Sequence, residues 1–290
     1  MNMLSSRPAT LIELNKSMSS RIVFCVHTVG GGLGAYKILA KRLEDTAQFY
    51  GLEDPSIYAN ESFSSVPELA ELHVETIRHV QPHGPYLLFG SCSGGPIAYE
   101  IACQLHMEDE EVERVVMFGS QLDLIAYDPT FKDPHQFLLV YLTTSLNLRT
   151  GGIDWDLLKS MDRALAYPTI VRELANRNKE LQQLDLDSLS KTLESLCMTQ
   201  AATSRYRAPK SSLNIDLFTH PIGERSEERQ HKNWCNWSEL TRGTFNEIDI
   251  EIEIEAGAGT GVLAEHYVGK VVECLKRIQF SKELAGDHAV

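Results

Sequence analysis

Residues 85–95 read PYLLFGSCSGG and decide the fold. A short apolar run from Tyr86 to Gly90 leads straight into a glycine-rich turn. Pro96 then opens a stretch with apolar residues at helical spacing, in the first-turn position that proline favours. Cys92 stands at the centre of the turn, in the spacing glycine–x–nucleophile–x–glycine. The stretch therefore predicts a strand, a projecting thiol and a helix, in that order.

The chemistry of this turn follows from its geometry. A sharp strand-to-helix turn pushes the central side chain out of the chain path, and Gly90 and Gly94 leave room for the strained backbone. We expect the helix N-terminus to lower the pKa of the Cys92 thiol. The amide of Ser93 and an amide near Val29 are the predicted donors to an oxyanion. The alternative is a buried structural cysteine in a glycine-rich turn.

Further short apolar runs predict a mostly parallel sheet with both faces covered by helices, an α/β fold. They lie at 21–27, 115–118 and 213–218, and the strictly alternating run 249–255 predicts a half-exposed strand near the sheet edge. Residues 1–20 are polar and predict an N-terminal arm, loose or shortly helical. From about 128 to 208 the helical period is uninterrupted, which predicts a helical insertion lying over the sheet as a lid.

The composition excludes several classes of protein. The formal net charge of -13 argues against binding to nucleic acid or to an anionic membrane surface. The six cysteines are scattered without a C-x-x-C pair, so we expect neither a zinc site nor a disulfide framework. No metal or dinucleotide motif is present. Neither a signal peptide nor a membrane span is apparent in the sequence, so a cytoplasmic location is the expectation.

Three segments carry a resemblance to a known family: VHTVGGG at 26–32, QPHGPYLLFGSCSGGPIAYEIACQL at 81–105 and WCNWSEL at 234–240. From about Arg21 to Ile278 the chain resembles the thioesterase domains of nonribosomal peptide and polyketide synthases, as a variant with a cysteine nucleophile. The resemblance implies one α/β-hydrolase domain over 21–290 with a helical lid. It also implies no bound cofactor, and a substrate presented as a thioester on the phosphopantetheine arm of an acyl or peptidyl carrier protein.

The sequence departs from the family at two catalytic positions. The resemblance implies an acid at the end of the strand that follows the elbow. There the chain has Gly119, and the first carboxylate is Asp123. Where the resemblance implies the catalytic histidine, the chain has Gly259, and the nearest histidine is His266 on the following helix. His266 and Asp123 are therefore the candidate base and acid. The alternatives are a surface histidine and a solvated loop carboxylate.

The cysteine changes what an incomplete triad can do. A serine hydroxyl is inert without a base, whereas a thiol has a usable thiolate fraction near neutral pH. Exchange of an acyl group between thiols is nearly balanced in free energy, while attack by water needs a base. We therefore expect Cys92 to take up an acyl or aminoacyl group and transfer or cyclise it. A releasing or editing hydrolase with a histidine base, and a non-catalytic module that binds a carrier protein, are the alternatives.

Overall fold

In the part of the chain that the structure describes, seven strands form one central sheet. The computed structural model describes residues 7–28, 30–58, 63–120, 186–219, 237–250, 262–263 and 265–278. The strands are β1 (Leu11–Glu13), β2 (Ile22–Val26), β3 (Gln48–Leu52), β4 (Tyr86–Ser91), β5 (Val112–Phe118), β6 (Ile215–Thr219) and β7 (Phe245–Asp249). They lie in the order β1-β3-β2-β4-β5-β6-β7, and each neighbouring pair is parallel except β1 and β3. The predicted mostly parallel sheet is confirmed.

Helices cover both faces of this sheet. In the described residues they are α1 (Lys37–Arg42), α2 (Val66–Arg78), α3 (Gly94–Met107), α4 (Leu186–Arg205), α5 (Trp237–Leu240) and α6 (Glu265–Ile278), with short 3₁₀ helices at Gly34–Tyr36 and Pro55–Ile57. Helix α2 begins at a Ser65 cap, whose hydroxyl accepts from the amide of Glu68 at 3.3 Å. A Pro–Glu pair in its first turn agrees with that start.

The strands bury side chains on both faces because alternate residues point in opposite directions. One set packs with α2, α3 and the C-terminal part of α4, and includes Phe24, Val26, Leu88, Val115, Met117 and Ile215. The other set packs with α1 and α6, and includes Val23, Cys25, Phe89, Val116, Phe118 and Phe218. The sheet is thus the middle of three layers, as continuous apolar strands predict.

The N-terminal arm differs from its prediction. Within 1–20 we expected a loose arm or a short helix, but Leu11–Glu13 is a strand that extends the sheet antiparallel to β3. The side chain of Asn15 then donates to the carbonyls of Ala40 and Ala47 at 2.8 and 3.0 Å and accepts from the amide of Phe49 at 2.8 Å. Pairing with the open edge of β3 satisfies backbone groups that a loose arm would leave to water.

A strand precedes the run 249–255 that was predicted as one. The alternating run 249–255 was predicted as the strand, but β7 covers Phe245–Asp249, and residues 251–261 lie outside the described ones. Each β7 residue pairs with β6, and the last pair joins Asp249 to Thr219. Of the predicted run the structure describes only Asp249, which ends β7, and Ile250, so the rest of that prediction lies outside the described residues. In the strand order of the described residues, β7 comes last.

Of the predicted lid, about 128–208, the structure describes only the part from 186 onwards. This part is the helix α4, so it is helical as predicted. Helix α4 packs against α2 and the 3₁₀ helix Pro55–Ile57, and its Ala202 joins the core of the α2 and α3 face. The lid boundaries themselves stay a prediction.

Candidate active site

Cys92 occupies the sharp turn between β4 and α3. Its φ of 54° lies in the left-handed region, which is costly for a residue with a Cβ. Two backbone hydrogen bonds hold it there: its amide donates to the carbonyl of Phe118 at 3.0 Å, and the amide of Gly95 donates to its own carbonyl at 3.2 Å. A strained backbone at a residue with a nucleophilic side chain is what the spacing around Cys92 predicts.

The glycines around Cys92 are required by close packing of α3 on the strands. A Cβ at Gly90 would lie 2.5 Å from the carbonyl oxygen of Gly94. One at Gly94 would lie 2.7 Å from the carbonyl oxygen of His27 and 2.9 Å from that of Val26. No relaxed Cβ makes contacts this short, and each contacted atom belongs to the backbone, which cannot move away as a flexible side chain can. The glycines therefore let the N-terminus of α3 approach the carboxyl ends of β2 and β4.

Two segments face each other at this edge of the sheet. After β2, Gly30 and Gly31 have φ of 86° and 79°, and the amide of Gly31 donates to the carbonyl of Thr28 at 2.9 Å, which makes a tight turn. After β4, Ser93 is the N-cap residue directly before α3, so its amide is among the unpaired amides at the start of the helix. The predicted oxyanion donor Val29 lies outside the described residues. Its role, and that of Ser93, stay predictions.

The thiol of Cys92 is half-buried, and its pKa shift runs opposite to the one expected from the helix N-terminus. Burial raises the pKa of Cys92 above its usual value of 9.0, and the backbone amide of Ser93 offsets only part of this rise. Removal of water from the thiolate thus outweighs the single hydrogen bond. The resting group is a thiol rather than a thiolate, so the expectation of a lowered pKa was wrong in sign.

The candidate base makes no hydrogen bond to the thiol in the described part of the chain, and the candidate acid lies outside that part. His266 is exposed on α6, with its ring 4.1 Å from that of Tyr267, and no described histidine is hydrogen-bonded to Cys92. Asp123, Gly259 and His220 lie outside the described residues. The roles assigned to His266 and Asp123 therefore remain predictions.

Two buried histidines lie beside the site and were not recognised as a pair from the sequence. His27 follows β2, and its ring meets that of His73 on α2 edge to face at 5.6 Å. His27 Nδ1 contacts the carbonyl of Thr28 at 3.0 Å, while Nε2 of each ring has no hydrogen-bond partner among the described residues. Burial lowers the pKa of His73 well below 6.5, and the charge of His27 lowers it further. His73 is therefore neutral at pH 7.

A buried carboxylate that was not singled out from the sequence ties the end of the lid segment to the loop after β3. Asp54 is fully buried and accepts from the hydroxyls of Ser195 and Thr199 on α4, at 2.6 and 3.3 Å. It also accepts from the amide and the hydroxyl of Ser56, at 2.8 and 2.6 Å. A Cβ at Gly31 would lie 2.8 Å from the Asp54 Cβ, so the glycine turn packs directly on this group.

Comparisons with known proteins show which proteins this chain resembles. Residues 21–128 match the family model described as thioesterase domain. Malpinin synthetase of Mortierella alpina is 32% identical over 127 residues, which cover 43% of this chain and 2% of that protein. Nonribosomal peptide synthetase btyA of Aspergillus terreus is 27% identical over 245 residues, which cover 79% of this chain and 26% of that protein. The NocB thioesterase domain, solved as a covalent complex with a fluorophosphonate nocardicin G analogue, has a TM-score of 0.64 at 20% identity, covering 93% of this chain and 99% of that one.

The chain resembles the thioesterase domains of nonribosomal peptide and polyketide synthases. Its fold is the α/β-hydrolase fold, as predicted. The chain spans only 2% to 26% of the length of the first curated relatives it matches.

The resemblance to thioesterase domains gives Gly119 its significance. This glycine directly follows β5, at the position where the resemblance implies the acid, and its amide donates to the carbonyl of Phe218 at 2.8 Å. Its φ of 56° is left-handed, so an aspartate here would carry backbone strain. The position is therefore adapted to glycine in this chain.

Across the described residues, no helix is long and apolar enough to cross a membrane. Within the same residues, no cluster of three or more histidine, cysteine or acidic side chains is arranged to hold a metal ion.

Proposed function

We propose that this chain takes an acyl or aminoacyl group from a carrier-protein thioester onto Cys92 and then transfers or cyclises it. One observation carries the proposal: a cysteine with φ of 54° between β4 and α3, at the carboxyl edge of a parallel sheet. Strain of this kind is maintained where a side chain must project for chemistry. The match to the thioesterase domain family over 21–128 includes both the turn after β2 and this elbow.

In the first step the thiol of Cys92 loses its proton and the sulfur attacks the thioester carbonyl carbon. A C–S bond forms and the carbonyl electron pair moves to oxygen, where the amide of Ser93 and an amide near Val29 are the proposed donors. Collapse of this oxyanion breaks the original C–S bond, and the phosphopantetheine thiolate leaves and takes up the proton. A thioester replaces a thioester, so the step is nearly balanced in free energy.

The fate of the acyl group depends on how the second nucleophile is activated. Water needs a base to attack, whereas a thiol or amine acceptor is nucleophilic without one. In the described residues no histidine is hydrogen-bonded to Cys92, which favours transfer or cyclisation over hydrolysis. The proposed partner is an acyl or peptidyl carrier protein, and the proposed substrate reaches the thiol on its phosphopantetheine arm, with no cofactor resident in the site.

The test is the intact mass of the protein after incubation with carrier proteins loaded with a panel of acyl and aminoacyl groups. A persistent adduct that is discharged when a thiol or amine acceptor is added supports the proposal. Rapid release of free acid without an acceptor would show a hydrolase instead. Absence of any adduct, with the carrier retained on a column carrying the protein, would show a binding module.

A further inference from the structure

Tyr36 lies fully buried behind the two segments that form the site. It ends the 3₁₀ helix Gly34–Tyr36, which follows the glycine turn after β2, and it is 0% exposed. Its ring packs in the core formed with α1 and α6. A buried tyrosine hydroxyl needs hydrogen-bond partners, and a phenylalanine would fill the same space without that need. The partners of this hydroxyl are therefore informative.

The hydroxyl of Tyr36 bridges the two segments. It donates to the carbonyl of Val26 at 2.8 Å and accepts from the amide of Ser91 at 2.6 Å. Val26 is the last residue of β2, and Ser91 directly precedes Cys92. The β2–β4 pairing ends at Val26 and Gly90, so the hydroxyl links the two strands at the point where their direct backbone pairing ends.

The phenol keeps its proton at the site. Burial raises the pKa of Tyr36 well above 10.0, and the hydrogen bond from the Ser91 amide offsets only part of this rise. The hydroxyl therefore remains a donor to Val26 while it accepts from Ser91.

We propose that Tyr36 is a positioning residue for the acylation of Cys92, and that its hydroxyl fixes the distance between the turn after β2 and the elbow. This role rests on the proposed function of Cys92. The amides proposed to meet the oxyanion, those of Ser93 and of a residue near Val29, come one from each segment, so their separation must match one oxygen atom. A displacement of about 1 Å in such a site costs on the order of 100-fold in rate.

Two reactions of the same thiol separate this role from a general contribution to the fold. Acetylation by p-nitrophenyl acetate passes through a tetrahedral oxyanion and releases a burst of p-nitrophenolate. Alkylation by iodoacetamide is a direct displacement at carbon and forms no oxyanion. A misplaced oxyanion site therefore slows the first reaction and leaves the second unchanged. A Cys92→Ala background corrects both rates for the other cysteines.

The Tyr36→Phe variant removes the hydroxyl and keeps the ring. We expect acetylation of Cys92 to fall about tenfold to a hundredfold and alkylation to stay within about twofold of the wild type. The matched control is Tyr86→Phe, because Tyr86 is also fully buried and its hydroxyl donates to the carbonyl of Gln81 at 3.0 Å, at the opposite end of β4. This control should leave both rates unchanged. Unchanged acetylation in Tyr36→Phe, or an equal fall in both reactions, would overturn the proposal.

A second variant keeps the test decisive if thermal unfolding shows that Tyr36→Phe does not fold. Para-aminophenylalanine at position 36 retains a donor for Val26 but offers Ser91 only a poor acceptor. We expect the same selective loss of acetylation, and a wild-type acetylation rate in this folded variant would contradict the role of Tyr36. Since p-nitrophenyl acetate needs no carrier protein, failure of the carrier thioester reaction would count against the proposed function and not against Tyr36.

Discussion

The hydroxyl of Ser195 donates a 2.6 Å hydrogen bond to the fully buried carboxylate of Asp54. This bond joins α4, the end of the predicted lid, to the residues that follow β3. Gly31 packs on both partners, since a Cβ there would lie 2.8 Å from the Ser195 Oγ and from the Asp54 Cβ. The end of the predicted lid and the glycine turn after β2 therefore pack around the same buried hydrogen bond, the one between Ser195 and Asp54.

We predict that Ser195→Ala lowers the free energy of unfolding by about 1–3 kcal/mol, because a buried carboxylate loses a hydrogen-bond donor. Urea unfolding measures the change. The control is Ser204→Ala on the same helix, whose hydroxyl donates to the carbonyl of Ala201 at 3.1 Å within the helix. It should change stability by less than about 0.5 kcal/mol. Equal effects of the two variants would show that Asp54 gains nothing from Ser195.

The elbow glycines give a second prediction. Gly94→Ala should lower the thermal midpoint by several degrees, because the new Cβ would lie 2.7 Å from the backbone oxygen of His27. The cost of such overpacking is about 1–3 kcal/mol, or roughly 2–10 °C for a domain of this size. Gly34→Ala is the control, because a Cβ at Gly34 has nothing within 4 Å. A stable Gly94→Ala protein with normal Cys92 reactivity would contradict the close approach of α3 to β2.

The raised pKa of the Cys92 thiol predicts its reactivity against pH. Burial disfavours the thiolate, so the rate of alkylation by iodoacetamide should still be rising at pH 9.0. His266→Ala should give the same profile, because His266 is exposed and is not hydrogen-bonded to the thiol. A midpoint below pH 8 that rises when His266, His220 or His27 is replaced would identify a base and restore a cysteine–histidine pair.

The buried histidine pair predicts a loss of stability in acid. The pKa of His73 is well below 6.5 in the folded protein, so its neutral form is the one that folding favours. Below pH 6.5 His73 binds a proton in the unfolded chain but not in the folded protein. The free energy of unfolding therefore falls as the pH falls. We expect a difference of up to about 1 kcal/mol per pH unit between wild type and His73→Leu. Urea unfolding at pH 7.5 and pH 5.5 measures it, and equal pH dependence in both proteins would refute the assignment.

The sequence alone was sufficient to predict the central strands of the sheet and the position of Cys92 in the turn between β4 and α3. Strands β2, β4 and β5 are continuous apolar runs because they are buried on both faces, and the glycine spacing marks the elbow. Strand β3 was missed because it reads QFYGL, with a buried glutamine and a glycine. Gln48 is tolerated since its side chain donates to the carbonyl of Asn15 at 2.7 Å and accepts from the amide of Ser17 at 2.8 Å. Such long-range partners leave no local signal.

The surroundings of Cys92 were less predictable for the same reason. Tyr36, Asp54 and His73 act through contacts with residues 10 to 145 positions away in the chain. Asp54 caps the 3₁₀ helix Pro55–Ile57 by accepting from the Ser56 amide. Nothing local indicated that Ser195 and Thr199 would join it. The net rise in the thiol pKa was also missed, because burial is a property of the folded chain.

The most direct measurement locates the acyl group after reaction with an acyl-loaded carrier protein. Peptide mass mapping of the trapped adduct should place the acyl group on Cys92, and Cys92→Ala should remain folded and form no adduct. Cys92→Ser should be nearly inactive, because a serine would need a base. Cys274→Ala, which removes a second half-buried thiol on α6, should acylate at the wild-type rate. Undiminished acylation of Cys92→Ala, or an acyl group mapped to another residue, would contradict the account.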